Sequence, residues 1–135
     1  MRAQASSIGL LLVVALGVRS AADAQPADTV AGAFTFRTHC TRCHGTEGRG
    51  DGPSADNLRF QPPDLRLIAK RNRGEFPADR MRRIVDGRVP VKGHGGSEMP
   101  IWGDVLKNAD VGYDSHVVEL QIRAVVEYLR SLQVP

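Results

Sequence analysis

The stretch that decides the fold is Cys40-Thr41-Arg42-Cys43-His44, in which two thiols stand three positions apart and an imidazole follows the second thiol directly. These are the two cysteines of the 135-residue chain. Two cysteines exclude a scaffold held by several disulfides and a zinc site built from four thiolates. Whatever group binds here must use two thiols and one imidazole.

The order thiol, two residues, thiol, imidazole matches the attachment motif of c-type haem. At the end of a helix the two sulfurs can reach the two vinyl groups of one porphyrin as thioethers, while the His44 ring turns beneath the iron. Such a tether suits a compartment from which lost haem would diffuse away. The motif predicts one haem c, bound covalently through Cys40 and Cys43 and ligated by His44.

Three other uses of these residues are weaker. A thioredoxin-like dithiol needs a βαβ context, and no segment alternates at period two for long enough to suggest a sheet. A zinc site would need a fourth ligand from among His39, His94 and His116. A structural disulfide inside the pentapeptide would be strained and would leave His44 without a role. Haem attachment agrees best with the rest of the sequence.

The N-terminus has the layout of a secretory signal peptide. Arg2 precedes an apolar run over residues 8–18, and Ala22-Asp23-Ala24 offers an A-x-A cleavage site. The run would rise about 16 Å as a helix, roughly half the thickness of a hydrocarbon core, which favours cleavage over a retained anchor. We expect residues 1–24 to be removed after Ala24 and the protein to be exported.

Composition indicates that the remainder of the chain, residues 25–135, forms one globular domain. Apolar residues make up 41% of the sequence and charged residues 24%, which is neither a disordered nor a membrane composition. Aromatic residues make up 5%, so a prosthetic group is expected to supply part of the core. The small net charge of +3 and the export signal argue against nucleic acid as a partner.

Helical periodicity marks both ends of this domain. Near the C-terminus, behind Asp114 or Ser115 as a cap, apolar residues recur at spacings of three and four: Val118, Ile122, Val125, Leu129 and Leu132. Upstream, the same spacing predicts a helix that begins at an Asp28 cap and leads into the pentapeptide. Its regularly spaced positions are Val30, Ala33, Phe34 and Arg37.

Between these ends the sequence predicts shorter helices separated by long loops. Residues 78–86 are predicted to form a helix that stops at Gly87, and residues 65–70 another turn or two. The Gly- and Pro-rich stretches 45–63 and 87–104 are predicted to be ordered loops, which in a small domain usually carry function. The buried side of the middle helix is predicted to hold Met81, Ile84 and Val85. The predicted fold class is all-α.

Further motifs flank the pentapeptide in a fixed order. Gly32 and Phe36 precede the first cysteine by eight and four residues, and Tyr128 lies in the last predicted helix. A glycine-rich loop, residues 48–53, follows the histidine, and Met99-Pro100-Ile101-Trp102-Gly103 comes later. With this order of motifs the chain resembles a small monohaem class I cytochrome c of the bacterial periplasmic type.

The resemblance implies a fold and a role. In that family the N- and C-terminal helices cross where the glycine and phenylalanine meet an aromatic, here Tyr128, and long loops wrap one covalently bound haem. The implied role is electron transfer in the periplasm, without an enzymatic activity of its own. Two alternatives stay open: a haem c subunit of a larger oxidoreductase complex, and a haem-based sensor or gas-binding module.

The second axial ligand of the iron is predicted to be Met99. Thioether and imidazole are the available ligands, Met1 leaves with the signal peptide, and Met81 fits the apolar face of a helix. Met99 lies in the stretch that resembles the family's Met-ligand loop, next to Pro100, which stiffens the turn. His94, five residues earlier between two glycines, is the competing ligand.

Other residues have weaker assignments. His39 and His116 are expected at the surface, with His39 pointing away from the haem pocket. The resemblance implies that the carbonyl of Pro53 accepts the N–H of the proximal imidazole, with Pro62-Pro63 as a substitute. Trp102 is expected either to hydrogen-bond a haem propionate or to cover the distal edge of the haem.

Basic residues gather in one half of the domain and include Arg80, Arg82, Arg83 and Lys92. A run of charges is usually a solvated face. The alternative is a docking patch for an acidic redox partner, whose encounter it would speed by electrostatic steering.

Overall fold

The structure, a computed structural model, describes residues 26–91, 100–107 and 114–135. The predicted signal peptide, residues 1–24, lies outside the described residues, as do Lys92, His94 and Met99. The α-helices are α1 (Pro26–His39), α2 (Thr41–His44), α3 (Ile68–Arg71), α4 (Ala78–Val85), α5 (Trp102–Lys107) and α6 (Ser115–Ser131). Two 3-10 helices span Ala55–Asn57 and Leu65–Leu67.

These three ranges contain helices and loops and no strand, which confirms the all-α prediction. The most extensive contact between helices is that of α1 with α6, and α4 and α5 also pack on α6. Within the described part of the chain, no helix has both the length and the apolarity needed to cross a membrane.

The crossing of α1 and α6 depends on Gly32. A Cβ atom at this position would overlap the carbonyl oxygen of Ala124 and lie 3.0 Å from the Cβ of Tyr128, so only glycine lets the two backbones approach this closely. One turn further on, Phe36 is 1% exposed, and its ring centroid lies 5.3 Å from that of Tyr128. The helix crossing implied by the family resemblance is confirmed.

The start of α1 differs from the prediction, and its regularly spaced apolar residues are mostly exposed. The helix begins at Pro26, so Asp28 lies in its first turn, where it pairs with Arg123 at 3.5 Å instead of capping the helix. Val30 and Phe34 are 70% and 67% exposed. The close approach at Gly32 orients α1 so that the face carrying Phe36 meets α6, and the regularly spaced apolar residues turn outward.

Helix α6 forms as predicted. The carboxylate of Asp114 accepts a hydrogen bond from the backbone N–H of His116 at 3.1 Å, which caps the first turn. Its buried residues are Val118, Ile122, Ala124, Val125, Val126 and Leu129.

The middle helices agree with the prediction in part. Helix α4 ends within one residue of its predicted end, buries Ile84, and is followed by Gly87 with a φ of +85°. The predicted turns over residues 65–70 form as a 3-10 helix continued by α3. Helix α5, by contrast, lies partly in a stretch that was predicted to be a loop. It is only six residues long, and its packing on α4 and α6 stabilises it more than its own sequence does.

Candidate functional site

The pentapeptide lies at the junction of α1 and α2, and its backbone continues the helical path. The N–H of Cys40 donates to the carbonyl of Phe36 at 2.8 Å, and the N–H groups of Cys43 and His44 donate to the carbonyl of Cys40 at 3.2 and 2.9 Å. Neither thiol is in a disulfide. The two thiols and the imidazole therefore project from a single turn of the backbone, as the haem-attachment prediction requires.

Cys40 lies at the edge of the apolar core. It packs against a buried cluster formed by Phe36, Leu65, Val125 and Leu129. Burial, and secondarily the negative charge that Cys43 would carry, raises the pKa of the Cys40 thiol to about 12. Cys40 thus packs at this edge of the core as a small apolar group.

His44 is buried, with 7% of its surface exposed. The loop that follows folds back over it: Gly50 N–H donates to the carbonyl of His44 at 2.8 Å, and Gly52 N–H to that of Cys43 at 3.2 Å. A Cβ on Gly52 would lie 2.5 Å from the carbonyl oxygens of both Thr41 and Arg42. This loop shields the His44 imidazole from solvent.

Pro53 lies in the same loop and is exposed. The next residue, Ser54, donates its backbone N–H to the carbonyl of Arg42 at 2.9 Å. The loop is thus held on α2 on both sides of Pro53. The hydrogen bond from the proximal imidazole to its carbonyl stays a prediction.

An apolar cleft of about 20 Å³ opens beside Cys40, between α1, α4, α5 and α6. Its lining includes Cys40, Val85, Trp102, Leu106, Ile122 and Val125. At this volume the cleft does not hold a whole porphyrin. Two thiols and an imidazole on one turn, with an apolar cleft beside the first thiol, fit a covalently tethered haem.

His39 is exposed as predicted, and it also lines the cleft beside Cys40. Its imidazole lies 5.0 Å from the Trp102 ring, centroid to centroid, and both residues line the cleft. Trp102 is half-buried. This pair is not predictable from the sequence, because the two residues are far apart along the chain. His116 is exposed at the start of α6, as expected.

Gln121 also lines the cleft, although no motif in the sequence marks it. Its side-chain oxygen is buried and has no hydrogen-bond partner among the described residues. A signal was present, since Gln121 is the polar member of the apolar stripe formed by Val118, Ile122 and Val125. Polar groups in such a place are seldom left without a partner.

The basic residues of α4 lie around a wider cavity of about 410 Å³ between α4, the end of α5 and the start of α6. Arg82 pairs with Asp79, and nearby Arg88 pairs with Asp86, so part of the positive charge is neutralised locally. Arg80 and Arg83 are exposed. This region is a mixed surface with an excess of cations, and its use in docking stays a prediction.

Comparison with protein families gives one match: the cytochrome c family, over residues 29–133. Neither the curated proteins nor the solved structures include a match to this chain. The matched region contains the pentapeptide, the crossing of α1 with α6 and every helix from α2 to α6. Members of the family bind haem c covalently and are generally electron carriers, so the domain is one of haem-dependent electron transfer. The chain belongs to the cytochrome c family.

Proposed function

We propose that this protein is an exported, periplasmic electron carrier with one haem c, attached through Cys40 and Cys43 and ligated by His44 and Met99. The observation that carries the proposal is the placement of the pentapeptide. Its three side chains lie on one turn of backbone at the end of α1, and His44 is buried. The family match over most of the chain supports the same reading.

The haem, when bound, supplies a one-electron couple between ferric and ferrous iron. The chain contributes a buried His44 and a loop that covers it. Apolar side chains beside Cys40 would keep water from that side of the site and so raise the reduction potential. With both axial positions filled, no open site remains for a substrate, which suits transfer of electrons in brief encounters with partner proteins.

Met99 is the proposed second ligand. Support comes from its thioether, a soft donor suited to haem iron, and from the rigid elements that follow it, Pro100 and α5. His94 would give a bis-histidine centre of lower potential. Met81 is half-buried on α4, in keeping with its role in packing.

We further propose that the exposed cations of α4, Arg80 and Arg83, attract an acidic redox partner, with Lys92 as a further cation close to them in the sequence. Arg82 and Arg88 are paired with carboxylates, so they add less to the positive charge that a partner would meet. Electrostatic attraction of this kind acts on the rate of encounter more than on the affinity.

Covalent attachment is tested by extracting purified protein with acidified solvent under denaturing conditions and by measuring its intact mass. We expect the pigment to stay with the polypeptide and the mass to exceed that of the mature chain by one haem. Cys40→Ala combined with Cys43→Ala is the matched variant, and its mass should show no addition. Pigment that leaves the parent chain, or a mass without haem, would refute the attachment.

A further inference from the structure

Gln133, two residues beyond the end of α6, ties that helix to the segment formed by residues 65–71. Its side-chain N–H groups donate to the carbonyls of Leu129 and Leu65, at 2.7 and 2.9 Å. Its side-chain oxygen accepts the backbone N–H of Ala69 at 2.8 Å. One half-buried amide therefore fastens this segment to the last turn of α6.

The same segment supports the loop that covers His44. Leu65 donates its backbone N–H to the carbonyl of Gly48 at 2.7 Å. Just before the segment, the carbonyl of Pro62 lies so close to Gly50 that a Cβ there would overlap it. Gly50 in turn donates its N–H to the carbonyl of His44 at 2.8 Å. The loop over the histidine therefore rests on this segment.

Leu65 is the residue at which these contacts meet. Its side chain is buried in the cluster against which Cys40 packs. Its N–H holds the loop, and its carbonyl is held by Gln133. A movement of Leu65 away from α6 would therefore draw the loop away from His44 and let water reach the imidazole.

We propose that Gln133 is a positioning residue that holds this loop against His44 and so keeps water from the imidazole. Exclusion of water around an iron ligand raises the reduction potential. Gln133 acts through Leu65 and the loop, and not by contact with the imidazole. This inference rests on the proposed function, because it takes His44 as a ligand of haem iron.

Gln133→Met is the variant that tests the proposal. Methionine keeps the approximate size of glutamine but has no amide donor, and its thioether is a weak acceptor. The backbone hydrogen bond from the N–H of Val134 to the carbonyl of Arg66, at 3.0 Å, stays in the variant and keeps the segment attached. Ser131→Ala is the matched control. It removes another side-chain hydrogen bond at the end of α6, from the Ser131 hydroxyl to the carbonyl of Tyr128 at 2.7 Å.

Gln133→Lys is the conservative variant. An ammonium group can donate to the carbonyls of Leu65 and Leu129, and a positive charge is favourable at the C-terminal end of a helix. It should therefore restore most of what Gln133→Met loses.

Hydrogen exchange of the holoprotein measures the loop directly, on the peptide covering residues 45–53. In Gln133→Met we expect this peptide to exchange about tenfold faster, the equivalent of one net hydrogen bond. Ser131→Ala should exchange there as the parent does, and the peptide of α4 should exchange alike in every variant. The reduction potential should fall in Gln133→Met and stay at the parent value in Ser131→Ala.

Three results would overturn the role of Gln133. The first is exchange of the loop in Gln133→Met that equals the parent, or that is matched by Ser131→Ala or by the α4 peptide. The second is faster exchange of the loop with an unchanged reduction potential, because the loop would then loosen without effect on the site. The third is a Gln133→Lys protein as impaired as Gln133→Met.

The exchange measurement also separates this inference from the function on which it rests. A parent protein whose mass shows no haem would refute the proposed function, and the effect on the potential would fall with it. Exchange of residues 45–53 in that protein would still decide whether Gln133 holds the loop.

Discussion

At the scale of single residues, Phe34 and Phe36 show how two nearby phenylalanines on one helix differ in their contribution to stability. Phe36 is 1% exposed against Tyr128, whereas Phe34 is 67% exposed. We expect Phe36→Ala to lower the free energy of unfolding by about 3–5 kcal/mol. Phe34→Ala should change it by less than about 0.5 kcal/mol. Urea denaturation of the holoprotein measures both, and equal losses would show that the face of α1 is assigned wrongly.

The residues of the pentapeptide were predictable because their geometry is local. Three side chains within five residues share one turn of backbone, whatever the rest of the chain does. The pairing of His39 with Trp102 was not predictable, because it depends on how α1 and α5 meet. The orientation of α1 came from the resemblance and not from periodicity: the spacing of Val30 and Phe34 marks a face, and the contact at Gly32 decides which face is buried.

At the scale of elements, Asp64 caps the 3-10 helix that leads into α3. Its carboxylate accepts hydrogen bonds from the Arg66 guanidinium at 2.7 and 3.0 Å and from the Arg66 backbone N–H at 2.9 Å. The side-chain hydrogen bond with Arg66 is the main reason that the pKa of Asp64 falls from 3.8 to about 2. The folded state thus favours the ionised carboxylate more than the unfolded state does.

The pH dependence follows from the sign of that shift. The stabilisation by Asp64 is present in full above its unfolded pKa of 3.8 and is lost as the pH falls toward about 2. We expect Asp64→Asn to lower the free energy of unfolding at neutral pH by about 1 kcal/mol, since solvent screens part of the interaction. The loss should shrink in acid. Glu47→Gln, which removes an exposed partner of Arg49, is the control and should change little. A loss that is constant with pH would contradict this account.

The helices differ in what stabilises them. Helix α6 has a cap and seventeen residues of amphipathic pattern, so its sequence alone predicts it. Helix α5 has six residues, and its first turn depends on the fit of Gly103 against Asp86. Contacts of this kind join segments distant in sequence, which periodicity within one segment does not reveal.

At the scale of the whole molecule, the distribution of charge makes the docking proposal testable. Arg80→Glu with Arg83→Glu reverses two exposed charges of α4, and Arg37→Glu with Arg123→Glu reverses two exposed charges of α1 and α6. We expect the α4 pair to slow oxidation of the ferrous protein by ferricyanide several-fold at low ionic strength, because attraction of the negative oxidant is lost. High salt should abolish the difference.

The control pair carries the same change in net charge. If both pairs slow the reaction equally, total charge and not the α4 surface governs the encounter. If the α4 pair has no effect at any ionic strength, the docking proposal is wrong.

The attachment turn also depends on the last helix of the chain. Cys40 packs against a cluster that includes Val125 and Leu129 of α6, far along the chain from it. The crossing at Gly32 is what brings these two ends together. A chain that stopped before α6 would therefore carry the complete pentapeptide and still lack one wall of the site.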